Sequence, residues 1–281
     1  MNAEDVAAAE SLLAGAGVSL TATEWLDEGK AADIGFDGDR ARASNILEPL
    51  RSALDIIVVD QEMRDVRLVV SDMDSTMIAA ECIDELADYA NVKPEIAAIT
   101  ERAMRGELDF EAALRERVAR LKGLSEHAIS DCLGQRIRPM PGARTLIATL
   151  SARGADCVLV SGGFHQFADV IGAELGFDAV YANRLVIEHG HLTGGLEGTI
   201  VDAARKAEIL RGEIARQGLA KSQSLSLGDG ANDIPMMREA GLSIAYHGKP
   251  AAREAALGSV DHGDLTAVLY ALGIPSAQWV E

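Results

Sequence analysis

Basic residues are in short supply in this chain. Lys and Arg number 26 against 44 Asp and Glu, a formal net charge of −18. A surface of that sign repels nucleic acid and anionic membranes, so neither is an expected partner. It also repels phosphorylated substrates. An anionic ligand would therefore need local positive charge at its site, from a metal ion or from particular Lys and Arg side chains. Cysteine is equally sparse. Cys82, Cys132 and Cys157 make an odd number, at spacings that match no metal pattern. Reduced, buried thiols in a cytoplasmic protein are the expectation. No apolar run approaches the roughly 20 residues of a membrane helix. The opening Met1-Asn2-Ala3-Glu4-Asp5 is acidic where a secretory signal is basic. Internal repeats and low-complexity tracts are missing as well. What is present is ordinary for a globular chain. The 281 residues, 48% hydrophobic and 25% charged, suffice for one large domain or two moderate ones with real cores.

One stretch organises the rest: Leu68-Val69-Val70-Ser71-Asp72-Met73-Asp74-Ser75-Thr76. Its apolar start reads as a buried parallel strand. Its end carries two carboxylates at i, i+2, which share one side of an extended chain. Ligands of open α/β sheets gather outside the carboxyl ends of strands. Two acids crowded there repel each other unless a cation lies between them or one holds a proton. The pair therefore points to a divalent metal together with acid–base chemistry. Read alone, it could equally be a solvated turn.

Residues 1–62 read as a separate small unit. It has a helix over Val6–Leu13, a short strand at Asp33–Phe36, helical spacing over Ala41–Leu54 broken by Pro49, and a strand at Ile56–Val59. No cluster of chemically useful side chains marks it, and a packing appendage is favoured over a regulatory module. After the Asp72 strand, four helical stretches (Ile83–Tyr89, Pro94–Met104, Phe110–Leu121 and Ser125–Leu133) suggest an inserted bundle over about 78–138. From Gly142 onward strands and helices alternate, with a hairpin around Glu188-His189-Gly190, which predicts a doubly wound parallel sheet. His189 and His191 lie in the predicted hairpin with no acid or Cys partner at ligand spacing, and these two and His165 read as non-ligands.

Three predicted strand ends now carry polar residues beside glycine: Asp72–Thr76, Ser161-Gly162-Gly163, and Asp229-Gly230-Ala231-Asn232-Asp233. In a parallel sheet all three lie on one edge. Glycines let backbone N–H groups approach a phosphate closely. Asp229 and Asp233 add carboxylates that suit Mg²⁺. Lys206 opens the helix before the last of these strands, where an ammonium can neutralise transferring oxygens. Each feature alone is a turn or a solvated charge; their coincidence on one sheet edge is not.

At these residues the chain resembles the haloacid dehalogenase superfamily. Its motifs stand here as Asp72-Met73-Asp74-Ser75-Thr76, Ser161, Lys206 and Gly228–Asp233. Within that superfamily it is similar to the phosphoserine phosphatase family, through Glu81–Ala87, Leu114–Val118, Ser161–Phe164 and Asp229–Asp233. The resemblance spans residues from about 65 to the C-terminus. It implies an α/β fold, namely a Rossmann-like parallel sheet core with a helical-bundle cap inserted at about 78–138. A small α+β domain over 1–62 would precede this core of 65–281. It implies Asp72 as nucleophile and Asp74 as general acid and base. Mg²⁺ would be held by Asp72, the carbonyl of Asp74 and Asp229, with Asp233 behind them. Ser161, Gly162, Lys206 and Asn232 would bind the phosphoryl group. Glu81 would read the ammonium of O-phosphoserine, and Arg117 its carboxylate. Met104 and Phe110 would line the lid. The implied activity is hydrolysis of phosphoserine, the last step of serine synthesis, on a small-molecule substrate; a homodimer is compatible with this reading. Transfer of the phosphoryl group to another alcohol such as homoserine, or action on a different small phosphorylated metabolite, are the alternatives. A silent sensor of serine or phosphate has no need of the intact Asp72 and Asp74. Met73 stands where many relatives carry an aromatic.

Overall fold

The computed structural model describes residues 1–281. Its first part runs α1 (Ala3–Gly15), β1 (Ser19–Asp27), β2 (Ala31–Asp37) and α2 (Arg40–Leu47), and α2 gives way to a 3₁₀ turn at Glu48–Leu50 that carries Pro49. The ring of Pro49 removes a backbone donor but suits the first turn of a helical segment. The expected helix over Ala41–Leu54 thus divides at that residue. β1 and β2 form an antiparallel ribbon, and the two helices close one face of it over Ala9, Leu13, Ala43, Leu47 and Val58.

The stretch Ile56–Val59 forms no strand, contrary to expectation. It packs by its side chains instead. Ile57 lies against the backbone of Gly258, and Val58 is buried in the small core. The nearby donors Asp261, His262 and Gly263 are taken by the Asp55 carboxylate, at 2.6, 3.1 and 2.7 Å. With those N–H groups satisfied by a side chain, no ladder forms there.

The remaining chain builds a seven-stranded sheet. Its elements are β3 (Leu68–Ser71), the helices α3 (Cys82–Tyr89), α4 (Lys93–Met104), α5 (Phe110–Arg120) and α6 (His127–Gln135), then α7 (Ala143–Ala152), β4 (Asp156–Phe164), α8 (His165–Leu175), β5 (Ala179–Glu188), β6 (His191–Glu197), α9 (Ala203–Gln217), β7 (Ser224–Gly228), α10 (Ile234–Glu239), β8 (Leu242–Tyr246), α11 (Pro250–Ala255), β9 (Gly258–Val260) and α12 (Ala267–Ala271). The strand order is β6-β5-β4-β3-β7-β8-β9. All neighbours are parallel except the β5–β6 hairpin at one edge. This is the expected α/β core.

β3 sits at the centre, and all four of its residues are buried. Val69 enters the large core that extends to α7 and α8, whereas Leu68 and Val70 enter a second cluster with Ile209, Leu210 and Met236 of α9 and α10. That two-residue alternation with both faces covered is what a central parallel strand requires. Each such side chain contributes roughly 1.5–3 kcal/mol through burial.

The four helices α3–α6 leave and rejoin the sheet through paired chains. Ala79 N–H donates to Arg138 O at 3.0 Å, and Met140 N–H to Met77 O at 2.8 Å. The β5–β6 hairpin holds the same insertion from its other side, through Gly123 N–H to Leu192 O, Leu192 N–H to Leu124 O, and Glu126 N–H to Gly190 O. All three cysteines are buried.

Candidate active site

β3 pairs with β4 on one side and β7 on the other, and Leu68 faces both Asp156 and Ser224. This common register places the ends of the three strands together. Asp72 follows β3 directly, and its N–H donates to Leu227 O at 2.9 Å. Ser161 lies within β4, which runs on through Gly162-Gly163 to Phe164 rather than stopping at Val160. Asp229 follows β7.

The deepest group is Lys206, which is 1% exposed. Its Nζ lies 2.7 Å from Asp72 Oδ1 and 2.8 Å from Asp233 Oδ1. Burial opposes its charge, but the two carboxylates outweigh burial and hold the ammonium above its ordinary pKa. Burial raises the Asp72 carboxyl well above the usual range, and the charge of Asp233 adds to this, while Lys206 pulls the other way. Asp233 also accepts the backbone N–H groups of Asp229 and Gly230, each at 3.1 Å. Gly228 makes that turn possible, because a Cβ there would lie 2.4 Å from the Asp233 carboxyl carbon.

The side-chain oxygens of Asp72, Asp229 and Asp233 lie within 4.8 Å of one another, and all three residues are buried. Three carboxylates meet the buried Lys206 ammonium and, at Asp229, the exposed Lys249, which leaves one negative charge in excess. Hard oxygen donors with that excess suit a divalent cation such as Mg²⁺. The Asp74 carboxylate takes a different direction. Its Oδ1 accepts the N–H of Cys82 at the start of α3, at 3.4 Å, and its Oδ2 stands 2.8 Å from where a Cβ on Gly163 would be. Burial, then the charge of Glu81, raise its pKa to about 7. Asp74 thus tends to hold a proton near neutral pH, through burial and Glu81 rather than through Asp72.

Around this centre lie donors for an anion. Ser161 is fully buried, and its Oγ accepts Gly163 N–H at 2.8 Å, which leaves the hydroxyl proton uncommitted. The ring of Phe110, first residue of α5, lies over Gly162, with Cζ 3.3 Å from a Cβ built there. Met104, at the end of α4, is 84% exposed. The Asn232 carboxamide rests against Gly230, with no hydrogen-bond partner within the chain.

The cap supplies the outer groups. Glu81 precedes α3 at the mouth and accepts the Ser75 hydroxyl at 3.0 Å; Ser75 holds a positive φ of 58° to aim it. Desolvation raises the Glu81 carboxyl above its usual range, and the Ser75 bond opposes this. Arg117 of α5 is half-buried with no carboxylate in ion-pair contact; its Nε donates to Ala113 O at 3.3 Å. Burial lowers its pKa, and the charges of Asp84 and Glu81 counter that. Glu81 and Arg117 therefore form no ion pair with each other.

Lys249 was not among the residues expected from sequence. Its Nζ lies 3.0 Å from Asp229 Oδ2. The signal was a Lys-Pro step separated by His247 and Gly248 from strand β8, whose end shares the edge with Asp72 and Asp229. The histidines lie elsewhere. His165 pairs with Asp169 at 2.8 Å, and His191 Nδ1 is 3.0 Å from His189 O in the hairpin.

The family model for haloacid dehalogenase-like hydrolases matches residues 69–238. A phosphoserine phosphatase of Albidiferax ferrireducens is 46% identical over 212 residues, 74% of this chain and 90% of that protein. The chain belongs to the phosphoserine phosphatase family of haloacid dehalogenase-like hydrolases. Solved structures of this family agree. The unliganded probable phosphoserine phosphatase of Vibrio cholerae superposes with a TM-score of 0.76 at 35% identity, over 97% of this chain and 84% of that one. A phosphoserine phosphatase holding a phospho-aspartyl intermediate analogue gives 0.67 at 40% identity, over 73% of this chain and 98% of that one. The family thus places this chain among phosphatase enzymes. The α/β core with its helical insertion is the fold these relatives share, and no helix is long and apolar enough to cross a membrane.

Proposed function

We propose that this enzyme hydrolyses O-phospho-L-serine to L-serine and inorganic phosphate through an aspartyl-phosphate on Asp72. The observation that carries the reading is the Asp72–Lys206–Asp233 cluster with a second acid, Asp74, two residues on and held by the Cys82 N–H. Asp72 attacks phosphorus, and the bond from phosphorus to the seryl oxygen breaks. Asp74 gives its proton to that oxygen. It then takes a proton from the water that attacks the acyl-phosphate, so phosphate leaves and Asp72 is regenerated. Lys206, Ser161, the Gly162 N–H and Asn232 bind the phosphoryl oxygens and meet the negative charge that the chain as a whole would repel. Glu81 receives the substrate ammonium and Arg117 its carboxylate.

Asp72, the carbonyl of Asp74 and Asp229 would hold Mg²⁺, with Asp233 positioning Lys206 and the Asp229 turn. The ion supplies charge neutralisation at the phosphoryl group when bound. Residues 1–62 form a domain with its own small core, and residues 65–281 the catalytic core. The cap of about 78–138 is set off by the paired linkers at Met77–Ala79 and Arg138–Met140. The N-terminal domain acts as a docked support. A cytoplasmic location and action on a free metabolite complete the reading.

The reading is tested by phosphate release from L-phosphoserine without an added alcohol. Release only when an alcohol acceptor is supplied would favour a phosphotransferase instead. Glu81→Gln and Arg117→Ala are each expected to lower kcat/KM for phosphoserine by roughly 10²- to 10³-fold, because each leaves one end of the zwitterion unpaired. Activity on an aryl phosphate should stay near wild type. Equal losses on both substrates would show that these residues do not read the amino acid.

A second expectation concerns pH. Below about 7 the Asp74 carboxyl carries the proton that the seryl oxygen requires. kcat/KM reports the phosphorylation step, so for phosphoserine it should fall above pH 7. An aryl phosphate, whose leaving group needs no proton, should show no such decline. Parallel profiles for the two substrates would remove Asp74 as the acid.

A further inference from the structure

Lys249 lies outside the roles assigned above, yet it faces the reaction centre. The chain leaves β8 at Tyr246, turns at His247 with a positive φ of 42°, and enters α11 at Pro250. This turn brings Lys249 back to the end of β7. Its N–H donates to Asp229 O at 2.7 Å, and its ammonium pairs with Asp229 Oδ2 at 3.0 Å. The two partners differ in freedom. The Asp229 side chain is 9% exposed, whereas that of Lys249 is 66% exposed. The carboxylate is fixed and the ammonium can swing into water. Lys206 contrasts with it, being enclosed between Asp72 and Asp233 with nowhere to go. Lys249 also lies near enough to Glu81 to favour its ionised form. One mobile cation thus serves two anions, and each of those anions meets another cation during the reaction.

We propose that Lys249 is a placeholder cation: it occupies the Asp229 carboxylate, competes with the divalent ion for that ligand, and swings outward when the ion loads. It sets the ion's affinity without touching the phosphoryl group. The inference rests on the reading of Asp72 and Asp229 as ion ligands. Its physical basis is simple. An exposed ion pair is weak and easily exchanged, whereas a like charge left beside an incoming ion raises that ion's free energy. The arrangement keeps Asp229 from facing Asp72 and Asp233 with no countercharge of its own.

The test is Mn²⁺ binding to the full chain without substrate, by isothermal titration and by the electron paramagnetic resonance signal of free Mn²⁺. Lys249→Met should bind Mn²⁺ about three- to tenfold more tightly than wild type. Lys249→Arg, which keeps the charge, should stay close to wild type. Lys93→Met, which removes a cap lysine paired with Asp88, should also stay close, separating local competition from loss of charge in general. Lys249→Met binding equal to or weaker than wild type, or tightening equally in Lys93→Met, overturns the proposal. Asp229→Asn separates the two levels of the argument. Should it leave wild-type affinity intact, the ion-site reading itself fails. Should it abolish binding while Lys249→Met changes nothing, the placeholder role alone fails.

Discussion

Asp72→Asn is expected to reduce phosphate release from L-phosphoserine by roughly four orders of magnitude or more, since loss of a nucleophile removes the covalent route altogether. The fold should survive. The carboxamide has nearly the same shape and can still accept the Lys206 ammonium, which also keeps its bond to Asp233 at 2.8 Å. Burial and the neighbouring Asp233 disfavour a charge at Asp72, so its removal should not lower the melting temperature. The decisive pair of measurements is therefore phosphate release and thermal unfolding on one preparation. Lost activity with an unchanged melting temperature supports Asp72 as nucleophile. Residual turnover within tenfold of wild type would mean that another group attacks phosphorus.

Lys206→Met should show the opposite balance, a large loss of stability together with loss of activity. The substitution leaves Asp72 and Asp233 buried without their enclosed cation. Removing one partner of a buried ion pair costs about 3–5 kcal/mol. The sign with pH follows from the direction of the shift. Without Lys206, the Asp72 carboxyl loses the cation that opposes the raising effect of burial and of the Asp233 charge, so its folded pKa is raised further. A carboxyl of that kind destabilises the fold above its unfolded value near 4 and up through its folded one. The deficit should thus be greatest at neutral pH and shrink as pH falls towards about 4. Denaturant melts at several pH values check this. Added Mg²⁺ should recover part of the deficit by linkage, because it binds the folded chain alone. A deficit that grows on acidification would contradict the charge argument.

The chemistry was more legible in the amino-acid sequence than the N-terminal fold was. Asp72, Ser161 and Asp229 follow apolar runs and Lys206 lies in the first turn of a helix, and a buried parallel strand advertises itself as an apolar run. The four residues of β3 are all buried for that reason. β1 escaped notice because it lies in a two-stranded ribbon with most of its residues exposed; Ser19–Asp27 presents no buried stripe for a pattern to reveal. Ile56–Val59 misled for the converse reason. Its apolar side chains are wanted by two cores, but its backbone has no free ladder to join. In β4 the glycines suggested a turn after Val160, whereas the strand continues to Phe164. Among the site residues, Lys249 escaped notice because its one mark, a Lys-Pro step after β8, differs little from a solvated lysine until the turn returns it to Asp229.

The cap is fastened at two places, by the paired linkers and by the β5–β6 hairpin gripping Gly123, Leu124 and Glu126. A lid anchored on opposite margins does not swing as one body. Its free margin is the α4–α5 turn, where Met104 protrudes and Phe110 rests on Gly162. Opening there requires only the short stretch between α4 and α5 to lift, while both fastened margins stay in place.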